Sequence, residues 1–460
     1  LSVRLPSAIS ALLTISLMFF VGFKLSKNIH FGLFAGLVLA TSGGYVVFHV
    51  TRTADYDSFL TLLTTIWVLI GFWYLQINKK PIYIYFISLL VSISVLTKGI
   101  QPLILLPGLL LFAIYKRKLL SILKNKHLYF SILQFIFIVG SYYFLRELYN
   151  PGYLKEVYRY EIGGHYFQAI YDHHRAFHFY FQILATWGFG YWLFFIPISI
   201  WLLIFNRKDI SKEMYDFIVL CLIVALSYIL IISFGQTKGR HYIAPAMPFL
   251  ALAAAFPIWY FIDKYILKSP NSFNIKENAY ILLIAIALFC QPYMNIINSM
   301  KNEVNYVWDK ENYGYFMKKC KEYKHYTIPV VLDNAALKFY ITTYQKKGYT
   351  IDLKDIKSLT TGDTIMACET ITRNGLNALY NYQSLKEWRD AVLVKIVSKK
   401  EYNAQERSLY YKNLILSNGM FYGEVLNSIK SDNLTAEEII TQKAHGMMLE
   451  EMNYFKINQP

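Results

Sequence analysis

Four clusters of charged and hydroxyl-bearing side chains interrupt an otherwise apolar chain. Arg52-Thr53-Ala54-Asp55-Tyr56-Asp57 sets two carboxylates and a guanidinium within six residues. Such a group can orient a sugar hydroxyl or take up a proton as a general base. Acids at a helix start also complement its dipole, with Arg52 as their counter-ion, and the sequence leaves both readings open. Leu96-Thr97-Lys98-Gly99 places one lysine in a tight turn, where it can meet a phosphate as a point charge or snorkel at a membrane interface. The polar stretch 147–186 gathers Glu161, His165, His173, His174, Arg175 and Tyr180 among further tyrosines. These residue types suit contacts with sugars and lipid headgroups; a solvated loop is the other reading. Zinc ligands could be drawn from His165, Asp172, His173 and His174, but adjacent histidines at irregular spacing match no metal motif. No metal site is therefore assigned, and a divalent-metal requirement stays open. Thr237-Lys238-Gly239-Arg240-His241-Tyr242 combines two cations, an imidazole and a phenol, a set suited to an anionic phosphate group. The glycine between the cations lets the backbone approach closely.

The elements that must position these residues are membrane helices. The 460 residues are 55% hydrophobic and 17% charged, with a net charge of +16 and four cysteines. That composition excludes a disordered chain and a disulfide-dense secreted module. Apolar runs at roughly 8–23, 31–50, 57–76, 81–97, 99–115, 127–146, 187–206, 215–234, 241–262 and 278–297 predict about ten helical spans. Proline pairs, Pro102 with Pro107 and Pro245 with Pro248, predict kinks in two of them. Basic residues divide unevenly between alternate connections, fifteen on one side and nine on the other. By the positive-inside rule the fifteen face the cytoplasm. The net charge thus reports membrane orientation, and no nucleic-acid partner is expected. All four clusters then fall on the outer side, as does everything after 298. Leu1 falls there too, without a signal peptide, so an upstream segment with an odd number of spans is expected.

After 298 the runs shorten. Strands are expected at 327–332, 349–352, 364–368 and 391–397, with helices at 334–346 and 373–381. Alternation of this kind predicts a small α/β domain over 299–460. Its tail reads as helical from 408, with a capping box at Thr435-Ala436-Glu437-Glu438. Cys320 and Cys368 share this region, and a disulfide between them stays open.

RLPSAISALLTI, RTADYDSFLTLL, LTKG, NPGYLKEVYRYE and TKGRHYIAPAMPFLALAAA occur in this order over residues 1–262. Together the chain resembles the polytopic GT-C glycosyltransferases of the protein O-mannosyltransferase and aminoarabinose (lipid A) transferase superfamily. The resemblance implies a membrane domain over 1–298 in a bacterial inner membrane and an extracytoplasmic C-terminal domain. It implies inverting sugar transfer from a polyprenyl-phosphate carrier to a lipid, protein or glycan acceptor, with no cofactor beyond the lipid-linked donor. Asp57 matches the acid of an R-T-x-x-x-D motif, with Asp55 beside it. Lys98 matches the lysine of T-K-G, and Lys238 and Tyr242 match a K-x-x-x-Y motif. Arg240 and His241 depart from the apolar and aromatic residues usual there. The family's principal base lies in a loop expected upstream of Leu1, so residues 1–460 alone are expected to transfer nothing. A flippase for lipid-linked sugars and a glycan ligase or polymerase are the alternative functions.

Overall fold

The structure is a computed structural model. It describes residues 4–46, 49–159, 175–267, 275–329, 335–389 and 391–400. The chain divides into two compact units, Leu1–Ile297 and Asn298–Pro460.

The first unit is a multi-pass helical membrane fold. Its helices are α1 (Leu5–Ser26), α2 (Ile29–Ala40), α3 (Asp57–Gln76), α4 (Ile82–Lys98), α5 (Leu106–Tyr115), α6 (Leu119–Leu123), α7 (Lys126–Tyr149), α8 (Tyr153–Val157), α9 (Phe179–Ile183), α10 (Phe195–Phe205), α11 (Lys212–Phe234) and α12 (Met247–Tyr265), followed by the start of α13 (Ile275–Lys319). Every expected apolar run contains helix, though not each as one long span. Among the described residues, six helices are long and apolar enough to cross a membrane. A seventh span results if the pair Phe179–Gly188 and Gly190–Phe205, bent by 115°, counts as one. Three further apolar helices are shorter.

The physical reasons are local. The run 31–50 stops being helical at Ala40, where Thr41, Ser42, Gly43 and Gly44 follow; small hydroxyl residues and glycines favour turns over helix. The proline pairs lie where 3-10 turns give way to α-helix. Pro102 opens a 3-10 turn, Gln101–Leu105, and Pro107 sits in the first turn of α5. Pro245 lies in the 3-10 turn Arg240–Ala246, and Pro248 starts α12. Proline at a helix start has no amide bond to lose.

The core centres on α12, of which 89% is buried across its apolar window, whereas α7 is 11% buried and presents its side chains outward. Ala251, Ala253, Ala254 and Ala255 are fully buried, and such small side chains let neighbouring helices pack closely. Glycine serves the same end between α1 and α2: the Gly22 position lies so near Gly32 that a Cβ there would sit 2.7 Å from the Gly32 Cα. A Cβ on Gly32 would run into the Phe19 carbonyl oxygen. Gly32→Ala is therefore expected to push α1 from α2 and cost about 1–3 kcal/mol, read as a lowered thermal midpoint in detergent.

The second unit holds a five-stranded sheet in the order β2-β1-β3-β5-β4. β1 (His325–Pro329) pairs in parallel with β2 (Thr350–Lys354) and β3 (Thr364–Ala367), and β5 (Ala391–Lys399) runs antiparallel to β3 and β4 (Tyr380–Trp388). Helices α14 (Ala335–Gln345) and α15 (Thr370–Leu379) complete the described part. All four expected strands and both helices are present within a few residues. β4 was not expected: it is an edge strand of mixed polar residues, largely exposed or half-buried, without an apolar run to mark it. Cys320 and Cys368 are both free and buried. Burial pushes the Cys320 thiol up to about 11 and Cys368 well above its ordinary value, so the reactive thiolate is scarce. The expected helical tail and its capping box lie outside the described residues.

Candidate active site

Helices α3 and α4 are joined by a short connection and run antiparallel, so the first residue of α3 meets the last of α4. Those residues are Asp57 and Lys98. An acid at a helix N-terminus and a cation at a helix C-terminus each complement the local dipole. Lys98 Nζ donates to Asp57 Oδ1 at 2.5 Å, with the two side chains only 14% and 5% exposed. The Lys98 ammonium also lies 5.3 Å from the Tyr56 ring centroid and 5.1 Å from that of Tyr242, within cation–π range. Gly99, at φ +58, ends the helix in a conformation that side chains avoid.

The loop before α3 is tied to itself. His49 adopts φ +71, which costs a non-glycine residue about 1–3 kcal/mol. Its amide donates to Thr53 Oγ1 at 2.9 Å, Thr53 Oγ1 donates to Asp55 Oδ2 at 2.7 Å, and His49 Nδ1 lies 2.8 Å from the same oxygen. The Asp55 carbonyl accepts from Ser7 Oγ of α1 at 2.6 Å. Earlier in the loop, Gly44 N donates to Gly188 O at 2.6 Å. A Cβ on Gly43 would strike the Trp187 carbonyl oxygen, so only glycine allows this approach.

A third element closes the site. Gln101 Nε2 donates to Tyr228 Oη at 3.1 Å, and Tyr228 Oη donates to the Tyr242 carbonyl at 2.8 Å. Tyr180 Oη donates to the Gly239 carbonyl at 3.2 Å. These bonds fix the segment 239–242, and the His241 ring lies 5.2 Å from His49 and 4.6 Å from Tyr242.

Between these elements lies a cavity of about 630 Å³. Its polar wall is His49, Asp55, Tyr56, Asp57, Lys98, Gln101, Thr237, His241 and Tyr242. Tyr142, Tyr143 and Tyr153, from α7 and α8, form an aromatic wall, and Val95, Ile100, Ile104 and Ile232 add apolar surface. One cavity thus offers a cation, carboxylates, imidazoles and an apolar flank, a combination that accommodates a phosphorylated amphiphile. Among the described residues, no three His, Cys, Asp or Glu side chains converge as metal ligands.

No family model matches the chain, and no curated protein matches it in sequence. Solved structures do. The crystal structure of ArnT from Cupriavidus metallidurans bound to undecaprenyl phosphate aligns with a TM-score of 0.59 over 85% of this chain and 83% of that one, at 14% identity. The same protein in the apo state aligns over the same shares with a TM-score of 0.54, at 16% identity. The chain has the ArnT fold. That fold is the one the resemblance carried by the short motifs implied.

Within this ArnT fold the expected site residues separate into groups. Asp55, Asp57, Lys98, His241 and Tyr242 line the cavity together. Arg52 is half-buried and is not part of the lining; Asp57 pairs with Lys98 and Asp55 with His49. The Arg240 guanidinium lies 5.9 Å from the Trp187 ring. Tyr180 is fully buried. Glu161, His165, His173 and His174 lie outside the described residues. Lys238 is 5% exposed and is not among the residues that line the cavity; its Nζ donates to the carbonyls of Arg175 at 2.8 Å and Gly235 at 2.5 Å. Burial pushes this ammonium below the usual lysine range. In this arrangement Lys238 and Arg175 hold the backbone, one as donor and the other through its carbonyl. Lys238→Met is accordingly expected to speed proteolysis near Arg175 and raise KM for a lipid-linked donor, with a smaller loss of kcat than any change at Lys98. Limited proteolysis beside steady-state kinetics checks this.

Sequence reasoning missed His49, Gln101 and the tyrosines of α7 and α8. His49 falls inside a run read as a span, and Tyr142 and Tyr143 lie within an apolar helix.

Proposed function

We propose that the protein transfers a sugar from a polyprenyl-phosphate carrier to an acceptor at the outer face of a bacterial inner membrane, inverting the anomeric centre. The observation that carries this reading is the ammonium of Lys98, held between Tyr56, Asp57 and Tyr242 on the polar wall of a cavity with an apolar flank. The ArnT fold supports it, since ArnT itself has been solved with undecaprenyl phosphate.

The carrier phosphate is both ligand and leaving group. Lys98, with the Tyr242 and Tyr56 phenols, faces the charge that grows on the departing phosphate, a role in which fixed donors lower the barrier. Asp57 keeps the Lys98 ammonium in place before the donor arrives and orients sugar hydroxyls afterwards. His241 supplies a further donor. The isoprenoid follows the apolar flank toward lipid. Residues 1–298 belong to the membrane domain that, with the upstream base, carries out transfer, and 299–460 form an extracytoplasmic domain that helps to select the acceptor, whether lipid A, protein or another glycan. The positive-inside distribution supports this orientation.

The test is transfer itself. Full-length protein in liposomes is given undecaprenyl phosphate carrying a radiolabelled sugar, together with lipid A, peptide and glycan acceptors. Label is expected on one acceptor class. Movement of labelled donor across the bilayer without any product would instead indicate a flippase.

A further inference from the structure

We propose that the helix connections at the end of the bundle away from the cavity bind an anionic phospholipid of the adjoining leaflet, with Lys79, Lys118 and Lys212 on its phosphates and the leucines of α6 among its acyl chains. The inference rests on the membrane fold and goes beyond the transfer reading.

Three observations converge. First, cations from three separate connections meet. Lys79 follows α3, Lys116 and Lys118 follow α5, and Lys212 opens α11. Lys118 stands within electrostatic range of the other three lysines and of Asp216. Asp216 is committed to Lys116 at 2.7 Å, so it does not balance Lys79, Lys118 and Lys212. Burial and the neighbouring ammoniums hold Lys118 below the usual lysine range, and a phosphate among them relieves that repulsion. The segments 77–81 and 116–126 together carry seven cations and no acid.

Second, the cations stand on a fixed surface. Lys118 Nζ donates to the Leu75 carbonyl at the end of α3 and to Gln76 Oε1 at 3.4 Å. An ammonium has three donors, so one remains for a phosphate oxygen. Asn125 Nδ2 donates to Tyr74 Oη at 3.1 Å, and Asn125 Oδ1 accepts from the His127 amide at 3.1 Å. Both ends of the segment 116–126 are thereby tied to α3, and a pre-organised surface loses little freedom when a ligand binds.

Third, apolar surface adjoins the charge. α6 lies between Lys118 and Lys124 and has no buried residue. Leu120 is 72% exposed, and Leu123 is exposed too. The spanning helix α7 begins three residues after Leu123, so α6 sits at a membrane surface. Leucines there enter the acyl region while flanking lysines stay at the headgroups. Basic pockets between helices on the cytoplasmic side suit lipids with multiply charged headgroups. Cations contributed by three connections fit the two phosphates of a cardiolipin better than a single one.

The positive-inside bias alone would give a diffuse attraction shared by every basic connection, and the test separates that from a site. Full-length protein is reconstituted in liposomes of phosphatidylethanolamine, phosphatidylglycerol and cardiolipin, then released for native mass spectrometry. The wild type is expected to retain cardiolipin in preference to phosphatidylethanolamine. Lys79→Gln with Lys212→Gln changes two exposed side chains and is expected to lower that retention about tenfold or more. Leu120→Ser with Leu123→Ser is expected to lower it as well. Lys268→Gln with Lys276→Gln, an equal change of charge in another connection, is expected to retain cardiolipin as the wild type does. Equal losses in the two lysine pairs, or equal retention of phosphatidylethanolamine and cardiolipin by the wild type, overturn the proposal. Inorganic phosphate gives the second arm. Cardiolipin is expected to raise the thermal midpoint of delipidated wild type and inorganic phosphate to leave it unchanged; an equal rise with inorganic phosphate overturns the assignment to a lipid.

Discussion

Lys98→Gln is expected to lower sugar transfer by about 10²–10³-fold and to destabilise the membrane unit at the same time. The two losses have different origins. Transfer suffers because the departing phosphate loses its cation. Stability suffers because Asp57, 4% exposed, keeps its charge without the partner that made burial tolerable. Removing one member of a buried pair costs about 3–5 kcal/mol, less to the extent that Asp57 takes up a proton. The double variant Lys98→Gln with Asp57→Asn distinguishes them. Its side chains are neutral, similar in volume and able to hydrogen-bond, so most of the stability should return. Transfer should not, because no cation faces the phosphate. Thermal unfolding in detergent and turnover of labelled donor report the two quantities separately. Recovery of turnover in the double variant would show that the cation is dispensable.

The second large effect lies at the far end of the bundle and should leave turnover untouched. Lys116 caps α5, and its Nζ meets Asp216 of α11 at 2.7 Å, with the carboxylate 5% exposed. The pair repeats the logic of Asp57 and Lys98: an acid near one helix start, a cation at a neighbouring helix end. It lies away from the cavity, however, at the opposite end of α11 from Gly235. Lys116→Met is expected to cost about 3–5 kcal/mol, while turnover per folded molecule stays at the wild-type value. Lys116→Met with Asp216→Leu should recover much of the loss, since well-packed apolar pairs often replace buried ions without penalty. Unfolding midpoints measured beside active-fraction-corrected rates check this. The contrast matters because a buried ion pair joining helix ends is not by itself a site. The first pair differs in sharing a cavity with His49, Asp55 and Tyr242.

The legible part of the fold was the part written in apolar runs and charge asymmetry. All ten runs contain helix because lipid leaves a continuous backbone no other way to satisfy its amides. Helix length was less legible. The run 31–50 stops being helical at Ala40 because Thr41–Gly44 favour a turn, a signal that hydropathy does not register, and Gly43 and Gly44 there approach Trp187 and Gly188. In the second unit the parallel strands were read from their buried apolar residues, and β4 was missed because an exposed edge strand has no such pattern.

The site followed the same division. Asp57, Lys98 and Tyr242 could be singled out because charges and phenols at span mouths are costly unless used. Lys238 met that criterion equally well, yet it is held by two carbonyls; sequence records which residues are charged but not which way they turn. His49 was hidden within a run scored for its apolar neighbours, and the tyrosines of α7 and α8 were indistinguishable from interfacial aromatics.

The central claim is that the cavity between α3, α4 and the 239–242 segment takes a polyprenyl phosphate through Lys98. An experimental structure of the full-length protein with undecaprenyl phosphate tests it most directly. The phosphate is predicted within hydrogen-bonding distance of Lys98 Nζ, beside Tyr242, with the isoprenoid density leaving along Ile100, Ile104 and Ile232. Phosphate density seated elsewhere, with the Lys98–Asp57 pair intact and the cavity holding no lipid, would contradict the account.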